Sequence, residues 1–231
     1  MNKICASIAA RDLETLRKQI HDAFSLGADF VEIRFDYMKV SDIVHAIEIA
    51  ERIKSKAVFT LRPVDQAGKF EGSEKERIDL LKRLSTSKPM LLDVEYLTIK
   101  DNDNLADYLN NRNTPILVSW HDFEQTPMDD KLLDIINKMR IYSNYCKVAT
   151  TARDIEDTFR ILDLYKRIVG STLIAFAMGE AGVMSRILCT TLGNAPFTYA
   201  SLDRNTAPGQ INIRQMRRIY DRISKSYSGK S

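Results

Sequence analysis

The chain has 231 residues, with 34 Lys and Arg against 31 Asp and Glu for a formal net charge of +3, and it is 44% hydrophobic and 28% charged. With only 9 Gly and 6 Pro, this composition belongs to a packed globule and excludes disordered, collagen-like and low-complexity scaffolds. A chain of this length buries roughly 70% or more of its unfolded surface, so it needs no metal or disulfide staple. The odd set Cys5, Cys146 and Cys189 suggests neither a metal cluster nor a disulfide framework, and a reducing cytoplasm is the expected compartment.

The first residues, KICASIAARD, set a charge on each side of a short apolar segment. No run of about 18 apolar residues follows, so neither a signal peptide nor a membrane span is expected. Short β-branched and apolar runs then recur at 3–8, 30–35, 57–61, 90–94, 116–120, 146–149, 173–178 and 198–202. Each is followed by a segment of helical periodicity, such as Leu13, Leu16 and Ile20, or Leu132, Ile135, Ile136 and Met139. Eight strand-then-helix units at roughly 29 residues each match the size of a βαβ module.

No Gly-, Ser- or Pro-rich linker interrupts the series, so the expected organisation is one α/β domain over 1–231: an eightfold (β/α) barrel with a closed parallel sheet. The alternative is an open doubly wound sheet. A nucleotide-binding sheet of that kind wants a glycine-rich turn after its first strand, and here that turn is Ala9, Ala10, Arg11, Asp12. The last segment, RQMRRIYDRISKSYSGK, is basic enough to suggest nucleic acid or an anionic surface. Ile213, Met216, Tyr220 and Ile223 instead recur at helical spacing, which reads as a solvated amphipathic helix with a short basic tail at about 225–231. Neither a nucleic-acid nor a membrane partner is expected.

In a barrel of this kind, polar residues at the C-terminal strand ends form the active site. Glu32, Arg34 and Asp36 share one face if the second strand stays extended. The third strand ends at Arg62, the fifth at Ser119, Trp120, His121 and Asp122, and the sixth carries Lys147 between Cys146 and Val148. The seventh runs into Met178, Gly179, Gly182, Ser185 and Arg186. A lysine within an apolar strand loses hydration, and Arg34, Arg62 and Arg186 nearby would also favour the neutral amine, a nucleophile toward carbonyls. Two other readings stay open for Lys147: it snorkels to solvent, or it pairs with Asp36 or Glu32. His121 is the histidine placed at a strand end, where its near-neutral titration suits proton transfer beside an imine, although a lone histidine also serves as a packing group. His21 and His45 fall in helical stretches and read as surface or packing residues. Asp122 should point away from His121 if the strand continues.

The stretches FVEIRFD, FTLRP followed by GKFEGSEKER, LLDVEYL, ILVSWHDFEQTP, KVATTARD, MGEAGVMSRILC and TAPGQ resemble, in order and spacing, the type I 3-dehydroquinate dehydratases of the shikimate pathway. The resemblance covers nearly the whole chain. It implies an eightfold barrel that dehydrates 3-dehydroquinate to 3-dehydroshikimate through a lysine Schiff base, with no metal or organic cofactor. It also implies a small-molecule substrate as partner and is compatible with a homodimer.

Carried over residue by residue, the resemblance makes Lys147 the imine-forming lysine and His121 the general acid and base. Glu32, Arg34 and Arg62 fall around the substrate hydroxyls, Arg186 on its carboxylate, and Ser7, Thr206 and Gln210 among further substrate contacts, with Gln66 and Met178 in support. One position departs from the family pattern. Gln66-Ala67-Gly68 stands where many members have Glu-Gly-Gly, so an amide that can hydrogen-bond His121 but cannot stabilise imidazolium by charge replaces a carboxylate. Gly68 and Gly72 in that loop suit either a lid or a tight turn. The rival readings are a Schiff-base barrel lyase of the class I aldolase type and a barrel that only binds a small acid. Without the resemblance, the residues lead as far as imine chemistry on a small anionic substrate.

Overall fold

The computed structural model describes residues 2–202 and 209–228. Eight strands, β1 (Ile4–Ile8), β2 (Phe30–Arg34), β3 (Ala57–Thr60), β4 (Leu91–Glu95), β5 (Ile116–His121), β6 (Tyr145–Thr151), β7 (Thr172–Met178) and β8 (Thr198–Ser201), form one parallel sheet. The helices between and after them are α1 (Leu13–Ser25), α2 (Ile43–Ala50), α3 (Glu74–Thr86), α4 (Tyr96–Lys100), α5 (Asp103–Asn111), α6 (Asp129–Met139), α7 (Ile155–Arg167), α8 (Val183–Leu188) and α9 (Ile213–Ser228). Helix starts are set by local chemistry. The Asp12 carboxylate accepts from Thr15 N at 2.8 Å, and Ser73 with Glu76 forms a reciprocal capping box before α3. Among the described residues no helix is long and apolar enough to cross a membrane.

The strand order is β7-β6-β5-β4-β3-β2-β1-β8, a nearly closed barrel in which β7 and β8 are the facing edges. Side chains do the work of closure at that seam. Tyr165 Oη accepts from Ala175 N at 2.7 Å and donates to Ala175 O at 2.9 Å, while Ser185 Oγ accepts from Ala177 N at 2.7 Å. The amides of Ala175 and Ala177 on β7 are thus satisfied without a neighbouring strand, as burial demands. Phe176 and Tyr199 meet edge-on across the gap at 6.0 Å, and Thr198 Oγ1 donates to Arg186 O at 2.7 Å. On the outside, Arg217 of α9 reaches Asp29 at 2.8 Å and ties the last helix to the start of β2.

Two apolar clusters follow from the period-two alternation along the strands. The larger lies between sheet and helices and includes Ile4, Ala6, Ile8, Val31, Ile33 and Phe59 with helical residues such as Leu16, Leu81 and Ile136. The smaller fills the barrel floor with Cys5, Val58, Leu91, Leu117, Ala149, Ile174, Phe176, Phe197 and Tyr199. The inward positions above that floor turn polar: Ser7, Glu32, Thr60, Asp93, Ser119 and Lys147 are all buried.

One sequence expectation is corrected here. The extended chain ends at Arg34, and Phe35–Tyr37 forms a 3-10 turn, so Asp36 reaches back to Arg34 instead of continuing the strand face. At the C-terminal end α9 runs as far as Ser228, and its amphipathic repeat seats Ile213, Met216 and Tyr220 against the barrel; of the basic tail expected at about 225–231, residues 229–231 lie outside the described set.

Candidate active site

The C-terminal strand ends enclose a cavity of about 420 Å³. Ser7, Glu32, Arg34, Arg62, Gln66, His121, Lys147, Met178, Arg186 and Gln210 all line it, so the structure brings together every described residue to which the family resemblance gives a role. Thr206 lies outside the described residues. Register explains part of the convergence. On β5 and β6, Ser119 sits opposite Lys147 and His121 opposite Ala149, placing the imidazole one inward step above the lysine.

Lys147 is 5% exposed and does not reach solvent. Its Nζ donates to Asp93 Oδ2 at 3.1 Å, stands 3.6 Å from Glu32 Oε1, and lies 4.4 Å from the centroid of the Tyr199 ring. Of the alternatives left open by the sequence, pairing with Glu32 is present and pairing with Asp36 is not. Asp36 is occupied by a two-pronged bond to Arg34 at 2.8 and 2.7 Å and by Lys69 N at 3.0 Å. Glu32 also accepts from Ser7 Oγ at 2.9 Å and Thr60 Oγ1 at 3.0 Å. Burial alone would raise the Glu32 carboxyl, but Lys147, Arg34 and Arg62 outweigh it and hold the group below its ordinary value.

Asp93 is the hub beneath the pocket. Besides Lys147, it accepts from Arg62 Nη2 at 2.9 Å and Ser119 Oγ at 2.6 Å. Burial opposes ionisation, yet Arg62, Lys147 and Ser119 together hold the Asp93 carboxyl far below the usual range. Arg62 pairs on its other side with Glu95 at 3.1 Å, and Glu95 meets the buried Arg77 of α3 at 2.8 Å. Arg77 anchors this chain to Glu74 and to Leu61 O, so each buried charge has an opposite neighbour, as a low-dielectric interior requires.

His121 closes β5 with Nδ1 3.4 Å from Arg62 Nη1, and its ring stacks on Phe123 at 5.6 Å. Desolvation, with the positive charges of Arg62 and Lys147, depresses its pKa well below the usual histidine value, Asp93 opposing in part. At neutral pH the ring is therefore neutral. Gln66 faces the cavity but makes no hydrogen bond to His121 among the described residues. Gly68 is part of a tight turn, with its N–H bonded to Pro63 O at 2.9 Å, and an added Cβ would stand 2.0 Å from Arg62 O. Asp122 turns away, capping the next loop through Glu124 N and Gln125 N.

Arg186 projects from α8, 1% exposed, with its guanidinium carbon 4.3 Å from the Phe176 ring centroid. Burial pushes its pKa down to about 10. Gln210 enters from the loop after β8, where Gly209 at φ +69 packs against Gly179; an added Cβ would stand 2.3 Å from Gly179 O. Sequence reading missed Asp93, Tyr199 and Phe176. The signal for Asp93 was present in LLDVE, where Asp93 and Glu95 alternate on one face of an otherwise apolar strand. An amine, a neutral imidazole and several paired guanidiniums around one small cavity suit attack on a carbonyl of a compact anion, with a proton acceptor at hand. Among the described residues no cluster of three His, Cys, Asp or Glu is placed to hold a metal ion.

A family model described as type I 3-dehydroquinase matches residues 4–227. A 3-dehydroquinate dehydratase of Dehalococcoides mccartyi strain 195 is 36% identical over 225 residues, covering 95% of each chain. One from Methanococcus maripaludis strain C5 is 34% identical over 223 residues, covering 95% of this chain and 99% of the relative. Among solved structures, a 3-dehydroquinate dehydratase from Geobacillus kaustophilus superposes with a TM-score of 0.86 at 24% identity, over 99% of this chain and 93% of that one. A type I 3-dehydroquinate dehydratase from Clostridium difficile, solved with covalently modified comenic acid, gives 0.85 at 21% identity over 97% and 93% of the two chains. These two likenesses speak to the barrel fold.

Proposed function

The chain belongs to the type I 3-dehydroquinase family, hydro-lyases of the shikimate pathway, and on that premise we propose that it dehydrates 3-dehydroquinate to 3-dehydroshikimate through a Schiff base on Lys147, with His121 as general acid and base. The observation that carries this reading is the pairing of Lys147 and His121 on adjacent strands at the floor and wall of one 420 Å³ cavity that also holds Arg186.

Lys147 adds to the ring ketone, and loss of water leaves a protonated imine that draws electrons from the adjacent carbon. His121 then removes a proton from that carbon. Its depressed pKa makes the ring a free base at neutral pH and makes the imidazolium it becomes a strong acid, primed to pass the proton to the departing hydroxyl. Water finally releases the product from Lys147. Arg186 is suited to the substrate carboxylate, which a planar guanidinium can grip through two parallel bonds. Glu32, Arg34, Arg62, Ser7 and Gln210 offer polar groups to the ring hydroxyls.

The test is Lys147→Ala. The variant should keep the near-ultraviolet dichroism of the wild type while losing dehydration, because it deletes the covalent route. Residual turnover within about tenfold of wild type would contradict the role. Turnover of a phosphorylated aldol substrate in place of dehydroquinate would favour the aldolase reading instead.

A further inference from the structure

Lys147 does not stand alone in its strand: the carboxylate of Asp93, from two strands away, is the nearest anion to its amine among the described residues. Oδ2 lies 3.1 Å from Nζ, against 3.6 Å for the closer oxygen of Glu32. Asp93 is fully buried, so no bulk water screens the pair. Its other bonds fix the carboxylate in place, with Ser119 Oγ at 2.6 Å on Oδ1 and Arg62 Nη2 at 2.9 Å on Oδ2. Arg62 is also held by Glu95 at 3.1 Å, so its position does not rest on Asp93 alone. A carboxylate needed only to neutralise Arg62 would have no reason to place the same oxygen against the lysine.

We propose that Asp93 is a further catalytic residue, the fixed counter-ion of the nitrogen that becomes the iminium. This rests on the Schiff-base reading of Lys147. Written from the ammonium, the step balances without an outside proton: amine and ketone give a protonated imine and one water, the nitrogen attacking as the free base, the proton it sheds leaving within that water, and the positive charge redeveloping on nitrogen as the hydroxyl departs. Two N–H bonds are lost from nitrogen and the remaining one points to Asp93 Oδ2, which accepts a hydrogen bond and takes no proton. A preorganised anion beside a developing cation in a water-poor site lowers the barrier because it needs no reorientation as the charge is redistributed.

The experiment is single-turnover trapping with sodium borohydride and 3-dehydroquinate, followed by intact mass, on wild type and Asp93→Asn. The amide keeps the shape and removes the charge. Its trapping rate should fall by about a hundredfold, the usual scale for deleting one preorganised electrostatic partner. A product-like acid whose ketone has been reduced to an alcohol should bind within about threefold of wild type, since Arg186 is untouched. A trapping rate within threefold of wild type overturns the proposal, as does a loss of affinity for that acid equal to the loss of trapping. If Asp93→Asn does not fold, Asp93→Ala purified in formate carries the test. Trapping that rises at least tenfold with formate, and not with chloride at equal ionic strength, supports the counter-ion; indifference to formate overturns it. A wild type that forms no adduct at all defeats the Schiff-base reading itself, a result distinct from either.

Discussion

Replacing Arg186 by alanine separates recognition from chemistry. The guanidinium is 1% exposed, and burial lowers its pKa to about 10. Burial thus disfavours the charged form by an amount on the order of 3 kcal/mol. A substrate carboxylate brought into the same cavity restores that stabilisation through a pair of charge-assisted bonds. Truncating one partner of such a desolvated pair costs about 2 to 5 kcal/mol, or roughly thirtyfold to several thousandfold in affinity. The assay is calorimetric titration of 3-dehydroshikimate into Lys147→Ala and into the same variant carrying Arg186→Ala, so that no covalent step contributes to the heat. Arg186→Lys should recover only part of the loss, because an ammonium cannot present the planar fork. A dissociation constant within about threefold of the parent, with a lowered melting temperature, would make Arg186 a structural residue and refute the argument.

His121→Ala should lose about two to four orders of magnitude in turnover, the usual worth of a positioned acid and base, while still accumulating covalent adduct detectable by mass; full activity without adduct would contradict the role. The depressed His121 pKa also has a sign in stability: the unfolded ring takes up a proton near pH 6.5 that the folded ring refuses, so stability is complete above that value and declines as pH falls below it. Denaturant titrations between about pH 6.5 and 5 should show this slope in wild type and not in His121→Gln, the difference isolating the ring from Glu95, whose burial-raised carboxyl acts in the opposite sense. Arg77→Leu would strip the buried Glu95 of one cation, at about 3 to 5 kcal/mol, and should lower the melting temperature by roughly 6 to 20 °C; an unchanged melting point would show that the Arg77–Glu95 pair is not structural.

The barrel was legible because eight apolar runs alternate with helical repeats, and all eight runs are strands. The strand-end rule pointed to Glu32, Arg34, Arg62, His121, Lys147 and Arg186, because charge inside an apolar strand is costly, and all six line the cavity. It failed at two places for identifiable reasons. Asp36 was assigned to the strand face because nothing local in FVEIRFDYM announces the 3-10 turn; the turn is fixed by Arg34 and Lys69 reaching the same carboxylate. Asp93 was passed over because its partners, Arg62, Ser119 and Lys147, lie 26 to 54 residues away along the chain, and only the lateral pairing of β3 to β6 brings them together. The unpaired β7–β8 seam was hidden for the same reason: Tyr165 and Ser185 occupy helical positions whose role appears only when those helices lie over the edge of β7.

The central claim is that the lysine within CKVAT carries the reaction as a covalent imine. Borohydride added to the wild-type protein with 3-dehydroquinate, followed by peptide mapping, tests it most directly. A stable reduced adduct on Lys147, absent without substrate and absent from Lys147→Ala, is the expected result. Full turnover with no adduct on that peptide, or an adduct on another lysine, would contradict the account.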